Sequence, residues 1–364
     1  MNFREKYPAL QNYTYLNTAA CGLLSTKTQR VIQQATQQYA QQGSVGRDAW
    51  FDELSAIRQA GAEFIGVSAS EVALINNFTS GIYQIAQLLQ HHRRVLVVAD
   101  DYPSLLLPWH LLGFEVFTVA ALADGRIPLE AIEDNIRRHN IEVLAVSHVQ
   151  YSSGFRLPLA ALSAIRKEHD IKLVVDATQS LGVIPINLRE TPVDVLIGSG
   201  YKWLTAGLGN GLLYICQSLH AELSPKVLGF GTVGSKVSFQ EVNRMPFTPD
   251  TLEAGHCNFF SLFALKQALS EIREIGIEAI FEKVIQLRHQ LQESLPDKIK
   301  LISDYEDENS SSIVVVDAPA EAEGQLKAQN IITSTRPRGL RISPHFYNSE
   351  QDIQQLYSAL ADLR

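Results

Sequence analysis

Short apolar runs alternate with amphipathic segments between residues 72 and 215. Continuous Val, Ile and Leu runs predict buried strands, and apolar residues at helical spacing predict helices. Strands are predicted over Val95–Ala99, Val116–Val119, Val143–Ser147, Lys172–Val175, Val193–Ile197 and Gly211–Ile215, with Val72–Ile75 as a further short apolar run. Helices are predicted over Ser25–Gln42, Gly81–Gln90, Ser104–Leu112, Leu129–Asn140 and Leu159–His169. This alternation indicates an α/β domain with a buried, mostly parallel sheet.

The alternation stops at about residues 240–260, where a second pattern begins. Helices are predicted over Phe259–Ile275, Ile277–Leu295 and Glu350–Leu363, strands over Ile299–Ser303, Ile313–Val316 and Leu340–Ser343, and a polar loop over Glu306–Ser312. Residues 1–13 are polar and expected to be extended. We therefore expect a large α/β domain over residues 14–245 and a smaller α+β domain formed by residues 1–13 and 246–364. No Pro- or Gly-rich linker separates them, so they should pack closely.

Composition narrows the class of protein. The 364 residues carry 31 basic and 39 acidic side chains, a formal net charge of −8, which argues against a protein that coats nucleic acid. No apolar run approaches the roughly 18–20 residues of a membrane span, and the first residues lack the apolar stretch of a signal peptide. We expect a cytoplasmic protein without membrane or nucleic-acid partners.

The three cysteines are Cys21, Cys216 and Cys257. They are too few and too scattered for a disulfide framework or a cysteine-based zinc site. We therefore expect free thiols and no metal site.

The strongest chemical signal lies between residues 172 and 215. One apolar strand ends on Asp176, and a later strand leads into Lys202. Ligands of open α/β sheets bind beyond the carboxyl ends of the strands, where both residues fall. A confined lysine can form a Schiff base, and an aspartate can keep a pyridine nitrogen protonated.

The segments Asp-Ala-Thr-Gln-Ser and Ser-Gly-Tyr-Lys-Trp resemble those of fold-type I pyridoxal-phosphate enzymes of the class V aminotransferase group. That group includes cysteine desulfurases, selenocysteine lyases, cystine lyases, kynureninases and isopenicillin N epimerases. The resemblance runs from about Tyr15 to the C-terminus. It implies a pyridoxal 5′-phosphate cofactor and a seven-stranded, mostly parallel sheet flanked by helices. It also implies an amino-acid substrate and a homodimer with active sites at the subunit interface.

The resemblance assigns cofactor contacts to five residues at the strand ends. Lys202 matches the Schiff-base lysine, and Asp176 matches the residue that pairs with the pyridinium nitrogen. Gln179 matches the side chain that hydrogen-bonds the phenolic oxygen. Ser199 and Tyr201 occupy positions that usually contact the phosphate.

Further cofactor contacts are expected from three loops. Thr79 and Ser80 precede a predicted helix, whose N-terminus offers N–H groups and a positive dipole end to a phosphate. Tyr102 stands where the family places a ring over the cofactor. His256 and Asn258 stand where relatives carry a threonine that reaches the phosphate of the neighbouring subunit.

The resemblance also assigns substrate contacts. Arg341 begins an Arg-x-Ser motif whose arginine binds the substrate α-carboxylate, for which a guanidinium is the matching group. Arg336 and Arg338 precede it as weaker candidates. Asn17 and Ala20 lie in a segment similar to the family's N-terminal substrate-side segment.

Tyr151 follows a strand at a position where desulfurases carry a cofactor-contacting asparagine. We include Tyr151 among the substrate-side residues, although a tyrosine departs from that pattern. The neighbouring His148 is expected to be structural.

The cofactor does not choose the reaction, so transamination, β-elimination, epimerisation and desulfuration all stay open. Persulfide-forming desulfurases need a mobile thiol shortly before the carboxylate arginine, and residues 316–340 contain no cysteine. We therefore favour an aminotransferase or a β-eliminating C–S lyase. The alternatives are a desulfurase- or selenocysteine lyase-like enzyme, an epimerase and, more remotely, a non-catalytic cofactor-binding protein. A Rossmann dehydrogenase is disfavoured because the Gly207–Gly211 run lacks the three-glycine spacing and enters a strand.

Overall fold

The computed structural model describes residues 3–229 and 245–363. Its helices are α1 Thr26–Gln42, α2 Ser44–Trp50, α3 Glu53–Ile65, α4 Phe78–Leu88, α5 Pro103–Leu111, α6 Leu129–His139, α7 Leu159–His169, α8 Gln217–His220, α9 Phe259–Ile275, α10 Ile277–Glu293, α11 Ala322–Ala328 and α12 Glu350–Ala361. Its strands are β1 Thr14–Tyr15, β2 Val72–Ile75, β3 Arg94–Val98, β4 Glu115–Val119, β5 Val143–Ser147, β6 Lys172–Asp176, β7 Val195–Ser199, β8 Gly211–Ile215, β9 Lys300–Leu301, β10 Val314–Asp317, β11 Ile331–Ile332, β12 Ser334–Arg336 and β13 Gly339–Ile342.

Seven strands form the central sheet in the order β2-β8-β7-β6-β5-β3-β4. Strands β3 to β7 run parallel to one another, and β8 runs antiparallel to both of its neighbours, β2 and β7. Every residue of β5 and β7 is buried, because helices cover both faces of a parallel sheet. The predicted α/β fold with a mostly parallel sheet is confirmed.

A second sheet lies in the C-terminal part of the chain. Its four antiparallel strands follow the order β12-β13-β10-β9. Apolar residues of this sheet pack with α10, α11 and α12 into a separate core that includes Leu287, Val314 and Leu356. The N-terminal strand β1 pairs in parallel with β11, so the beginning of the chain joins this region. The division into residues 14–245 and residues 1–13 with 246–364 stays a proposal.

Helix α9 follows residue 245 but packs on the large core. It contacts α1 and α3, and its Leu265 and Ile272 belong to the apolar cluster around the seven-stranded sheet. The two regions are therefore joined by a continuous helical layer.

One local expectation was wrong, and the predicted polar loop is buried in part. Residues 4–6 and 8–11 form 3₁₀ turns rather than extended chain, because this lets Tyr7 and Leu10 bury their side chains. The loop before β10 is polar but not solvated, since Ser310 and Ser311 are buried. Their hydroxyl groups donate to backbone carbonyls, Ser311 to Gly154 at 2.7 Å, so burial leaves them paired. Within the described ranges, no helix is long and apolar enough to cross a membrane.

Candidate active site

The strongest sequence motif lies where neighbouring parallel strands end. Asp176 is the last residue of β6, Ser199 is the last residue of β7, and Lys202 follows three residues later. The carboxyl ends of parallel neighbours share one edge of a sheet, and this is the edge where α/β proteins bind ligands. Asp176 and Lys202 are 5% and 7% exposed. The topology therefore brings a carboxylate and an amine together inside the protein.

Burial raises the pKa of Asp176 above its usual value, and the nearby Asp101 adds to the rise. Hydrogen bonds from Thr178 and the charge of Lys202 act in the opposite direction. The backbone N–H of Thr178 donates to Asp176 Oδ1 at 2.8 Å. The carboxylate of Asp176 lines the cavity, where it can accept from a positively charged N–H group bound at the strand end.

Burial lowers the pKa of Lys202, and the charges of Arg341 and Arg336 lower it further. Asp176 and Cys21 oppose this shift. The Lys202 Nζ lies 5.7 Å from the centre of the Tyr102 ring and 5.5 Å from that of Tyr201. An amine in such surroundings loses its proton more readily than an exposed lysine, as a nucleophilic lysine requires.

The side chain of Gln179 is held by hydrogen bonds on both sides. Its Oε1 accepts from the indole N–H of Trp203 at 2.8 Å, and its Nε2 donates to the carbonyl of Ala19 at 3.1 Å. One amide hydrogen remains for a ligand oxygen. Gln179 is therefore oriented for the role that the sequence assigns to it.

The N-terminus of α4 lies beside Ser199. Asn77 caps the helix by accepting from the N–H of Ser80 at 2.9 Å, and the N–H of Phe78 donates to Ser199 Oγ at 3.1 Å. Thr79 Oγ1 donates to Ser104 at 2.9 Å. The cap occupies the Ser80 N–H, and Ser80 does not line the cavity, whereas Asn77, Phe78 and Thr79 do.

Two aromatic rings form another wall. Tyr102 is 37% exposed, and its ring packs edge-on against that of Tyr151 with centres 5.5 Å apart. The buried Asp101 fixes this loop by accepting from the backbone N–H of Tyr102 at 2.7 Å and the hydroxyl of Ser147 at 2.6 Å. Gln150 donates to its other oxygen at 3.0 Å. Asp101 was not among the predicted site residues.

These groups surround one cavity. The predicted residues that line it are Thr79, Tyr102, Tyr151, Asp176, Gln179, Ser199, Tyr201 and Lys202; the lining residues that were not predicted are Asn77, Phe78, Ser147 and Thr178. Asn77 could have been found as the start of an Asn-x-x-Ser cap, and Thr178 lies inside the motif that carried the prediction. His148 does not line this cavity; it is buried and lines a separate surface cavity with Arg156.

Arg341 lies in β13 with 1% of its surface exposed. Its Nη1 donates to the carbonyl of Tyr151 at 2.9 Å, whereas Nε and Nη2 have no hydrogen-bond partner among the described residues. Burial lowers the pKa of Arg341 to about 9, and the charge of Arg336 lowers it as well. The unpaired Nε–Nη2 edge is the one that binds a carboxylate through two parallel bonds.

The N-terminal segment packs against the turn that carries Lys202, but the predicted residues Asn17 and Ala20, like Arg341, do not line the cavity itself. Asn17 forms an isolated β-bridge with Ser343 through the backbone. The buried side-chain oxygen of Asn17, Oδ1, has no hydrogen-bond partner within the described ranges. The N–H of Ala20 donates to the Asn17 carbonyl at 3.0 Å, and that of Gly22 donates to the carbonyl of Tyr201 at 2.8 Å. A Cβ at Gly22 would lie 1.9 Å from the Lys202 carbonyl. Only glycine permits this approach to the lysine.

His256 and Asn258 lie outside this cavity. Both are exposed, and Asn258 caps α9 by accepting from the N–H of Ser261 at 3.4 Å. The ring of His256 packs edge-on against Phe51 with centres 6.0 Å apart. Their contribution to a neighbouring subunit stays a prediction.

His91, His92 and Glu222 place potential metal ligands within 4.8 Å of one another, away from this site. Glu222 is already paired with Lys172 at 3.0 Å, and that ammonium disfavours a second cation there.

The residues around the cavity fit pyridoxal phosphate. Asp176 suits a protonated pyridine nitrogen, Gln179 suits the phenolic oxygen and Lys202 suits the aldehyde. The start of α4 and Ser199 supply donors for a phosphate. The orphaned guanidinium edge of Arg341 suits the carboxylate of an amino acid.

Comparisons with known proteins agree with this fit. The family model for "Aminotransferase class-V" matches residues 14–356. The chain is 27% identical to an uncharacterized aminotransferase, YcbU, of Bacillus subtilis, covering 99% of this chain and 96% of that protein. It is 24% identical to a kynureninase of Shouchella clausii, covering 96% and 88%.

Two solved structures share the fold over nearly the whole chain. A cysteine desulfurase from Thermococcus onnurineus has a TM-score of 0.88 at 22% identity, covering 98% of this chain and 95% of that one. The cystine C–S lyase C-DES in complex with cysteine persulfide has a TM-score of 0.88 at 22% identity, covering 98% and 99%.

Proposed function

The chain belongs to the class-V aminotransferase family of pyridoxal-phosphate-dependent enzymes, and from this premise we propose that it acts on a free amino acid by amino-group transfer or β-elimination. The buried pair of Lys202 and Asp176 at the ends of β6 and β7 carries this proposal. A buried lysine beside a carboxylate contributes little to an ordinary core, but it provides the two groups that this chemistry requires.

The cofactor, when bound, delocalises the electron pair left at the α-carbon of an amino acid by a broken bond. Asp176 would hold a proton on the pyridine nitrogen, and Gln179 would donate to the phenolic oxygen. The amine of Lys202 would accept the proton from the α-carbon. Its lowered pKa increases the fraction of neutral amine available for that transfer.

Arg341 would bind the substrate α-carboxylate through Nε and Nη2, since Nη1 is already bonded to the Tyr151 carbonyl. This contact would fix the orientation of the α-carbon relative to Lys202. Asn17 and Ala20 would bound the substrate from the N-terminal side. Tyr102 would stack on the cofactor ring, with Tyr151 packed against its edge.

The positions of the cysteines disfavour a persulfide mechanism of the usual kind. Residues 316–340, which precede Arg341, contain no cysteine. Cys21 is exposed and near enough to Lys202 for their charges to interact, but it lies in the N-terminal segment and not in the stretch before Arg341. Amino-group transfer and β-elimination need no such thiol.

We also propose a homodimer in the cytoplasm. The exposed His256 and Asn258 lie outside the cavity of their own chain, which is consistent with a contact to a partner's site. The test is light scattering together with the cofactor affinity of a His256→Ala variant, and a fully active monomer would contradict the proposal.

The reaction is tested by incubating the holoenzyme with a panel of amino acids. Amino-group transfer to a keto acid, pyruvate release and sulfide release are measured in parallel. We expect either amino-group transfer to a keto acid or the release of pyruvate, the latter with or without sulfide. Absence of all activity from a fully loaded enzyme, across a panel that includes neutral and acidic amino acids, would contradict the proposal.

A further inference from the structure

Arg336 and Arg341 lie on the same face of the small sheet. In the antiparallel pair of β12 and β13, Ser334 is opposite Arg341, and Arg336 is opposite Gly339. Residues two apart on a strand share a face, so Arg336 shares the face of Ser334 and Arg341. Diagonal neighbours of this kind have their backbones about 7–8 Å apart. Two guanidinium groups are thus within reach of one small ligand.

Ser334 and Gly339 are the residues opposite the two arginines. A Cβ at Gly339 would lie 2.4 Å from the carbonyl oxygen of Val316, so glycine there permits the close approach of the β10 backbone. Ser334, opposite Arg341, is buried, and its hydroxyl has no hydrogen-bond partner among the described residues. The face therefore offers an unpaired hydroxyl beside the unpaired edge of Arg341.

Arg336 forms no ion pair within the described ranges of the chain; its Nη1 donates only to the carbonyl of the adjacent Thr335 at 2.7 Å. Its charge nonetheless acts on the site, because it lowers the pKa of both Lys202 and Arg341. The positive charge of Arg336 therefore destabilises the charged forms of Lys202 and Arg341 unless an anion is bound nearby. The α-carboxylate of an amino acid would neutralise Arg341 and leave Arg336 without a partner.

Arg338, two residues further on, is engaged differently. It donates to the carbonyls of Leu122 at 3.4 Å and Ala123 at 3.0 Å, and it lies 3.7 Å from Asp100. It therefore ties the hairpin to the large domain. Among the described residues, Arg336 and Arg341 are therefore the two arginines of this hairpin that pair with no acidic group, whereas Arg338 lies beside Asp100.

We propose that the substrate is an amino acid with a second anionic group, which Arg336 binds while Arg341 binds the α-carboxylate. This inference rests on the proposed function and specifies its substrate class. A short acidic amino acid and a disulfide amino acid with a distal carboxylate share the required chemistry.

The test uses unreactive carboxylates as probes. Binding of succinate, glutarate, propionate and butyrate to the holoenzyme is measured by calorimetry or by the change in cofactor absorbance. Two carboxylates can engage both arginines, so we expect the dicarboxylates to bind roughly tenfold to hundredfold more tightly than the monocarboxylates. Arg336→Gln should remove most of that preference, because it should weaken dicarboxylate binding much more than monocarboxylate binding.

The matched control is Arg338→Gln, which removes a charge from the same hairpin but should retain the dicarboxylate preference. Equal loss in both variants, or an unchanged preference in Arg336→Gln, would overturn the inference. Aspartate, glutamate and cystine, each compared with a neutral analogue, then distinguish the two classes of substrate. A holoenzyme that turns over only neutral amino acids would refute the second anionic group while leaving the proposed function standing.

Discussion

The indole N–H of Trp203 donates to the side-chain oxygen of Gln179 at 2.8 Å. An indole nitrogen can only donate, so this bond places the amide oxygen towards Trp203 and the amide nitrogen towards the carbonyl of Ala19. The residue directly after Lys202 therefore determines which face of Gln179 is available to a ligand. This hydrogen bond connects the turn that carries Lys202 to Gln179, the residue predicted to bind the phenolic oxygen of the cofactor.

Trp203→Phe should weaken cofactor binding roughly twofold to tenfold, because Gln179 loses the bond that fixes its orientation. The measurement is a titration of the apoprotein with pyridoxal phosphate, followed by absorbance. Trp109→Phe is the matched control, since Trp109 is also buried but its indole N–H has no partner among the described residues. Equal weakening in both variants would point to packing rather than orientation.

Asp176→Asn should retain the cofactor but lower kcat by at least about 100-fold, since the amide cannot hold a proton on the pyridine nitrogen as a carboxylate does. Turnover is measured at saturating cofactor, and the bound cofactor is quantified separately. Full activity in the loaded variant would show that Asp176 only shapes the cavity.

Arg341→Lys should raise the KM for the amino acid roughly tenfold to hundredfold and leave cofactor affinity within about threefold. Lysine retains the charge but cannot supply the two parallel bonds of the Nε–Nη2 edge. Steady-state kinetics and a cofactor titration separate the two effects. If both affinities fall together, Arg341 supports the fold and not the carboxylate.

His345, which bonds to the turn containing Trp203, should make the free energy of unfolding depend on pH. Its Nε2 pairs with the carbonyl of Trp203 at 2.9 Å, and burial lowers its pKa from 6.5 to about 3. Between these values the unfolded chain binds a proton that the folded chain does not, so the free energy of unfolding falls as the pH falls. Burial lowers the pKa of His148 to about 3 as well, so His345→Gln should reduce this dependence between about pH 6.5 and 3, without removing it, in urea unfolding of the apoprotein.

The carbonyl of Trp203 can only accept, so Nε2 of His345 must donate. Glutamine places a donor near the position of Nε2, whereas asparagine places it near that of Nδ1. At pH 7, His345→Gln should therefore be more stable than His345→Asn by about 1 kcal/mol. Equal stabilities, or an unchanged pH profile, would contradict the assigned bond.

The strands of the seven-stranded sheet could be predicted because buried parallel strands are continuous apolar runs. The apolar pattern does not predict the order of these strands in the sheet. It does predict that Asp176 and Lys202 lie together at the strand ends, as the structure shows. In contrast, α3 was missed although Ile57, Gly61 and Ile65 are buried at intervals of four residues.

The rest of the site depends on contacts that sequence spacing does not reveal. Asp101 fixes the loop of Tyr102 through Ser147, a residue 46 positions further along the chain. The N–H of Ser80, which is predicted to be a phosphate donor, is bonded to the side chain of Asn77 that caps α4. The sequence does not predict that Arg336 lies near Arg341, because their shared face follows from the register of β12 and β13.

Covalent attachment of pyridoxal phosphate to Lys202 is the premise of the proposed reaction. Its most direct test is borohydride reduction of the purified, cofactor-loaded protein, followed by mass spectrometry of the peptides. We predict that the reduced cofactor is found on the peptide containing Lys202 and that a Lys202→Ala variant is not labelled at any lysine. Labelling of another lysine in the wild-type protein, or a protein that takes up no cofactor, would contradict the account.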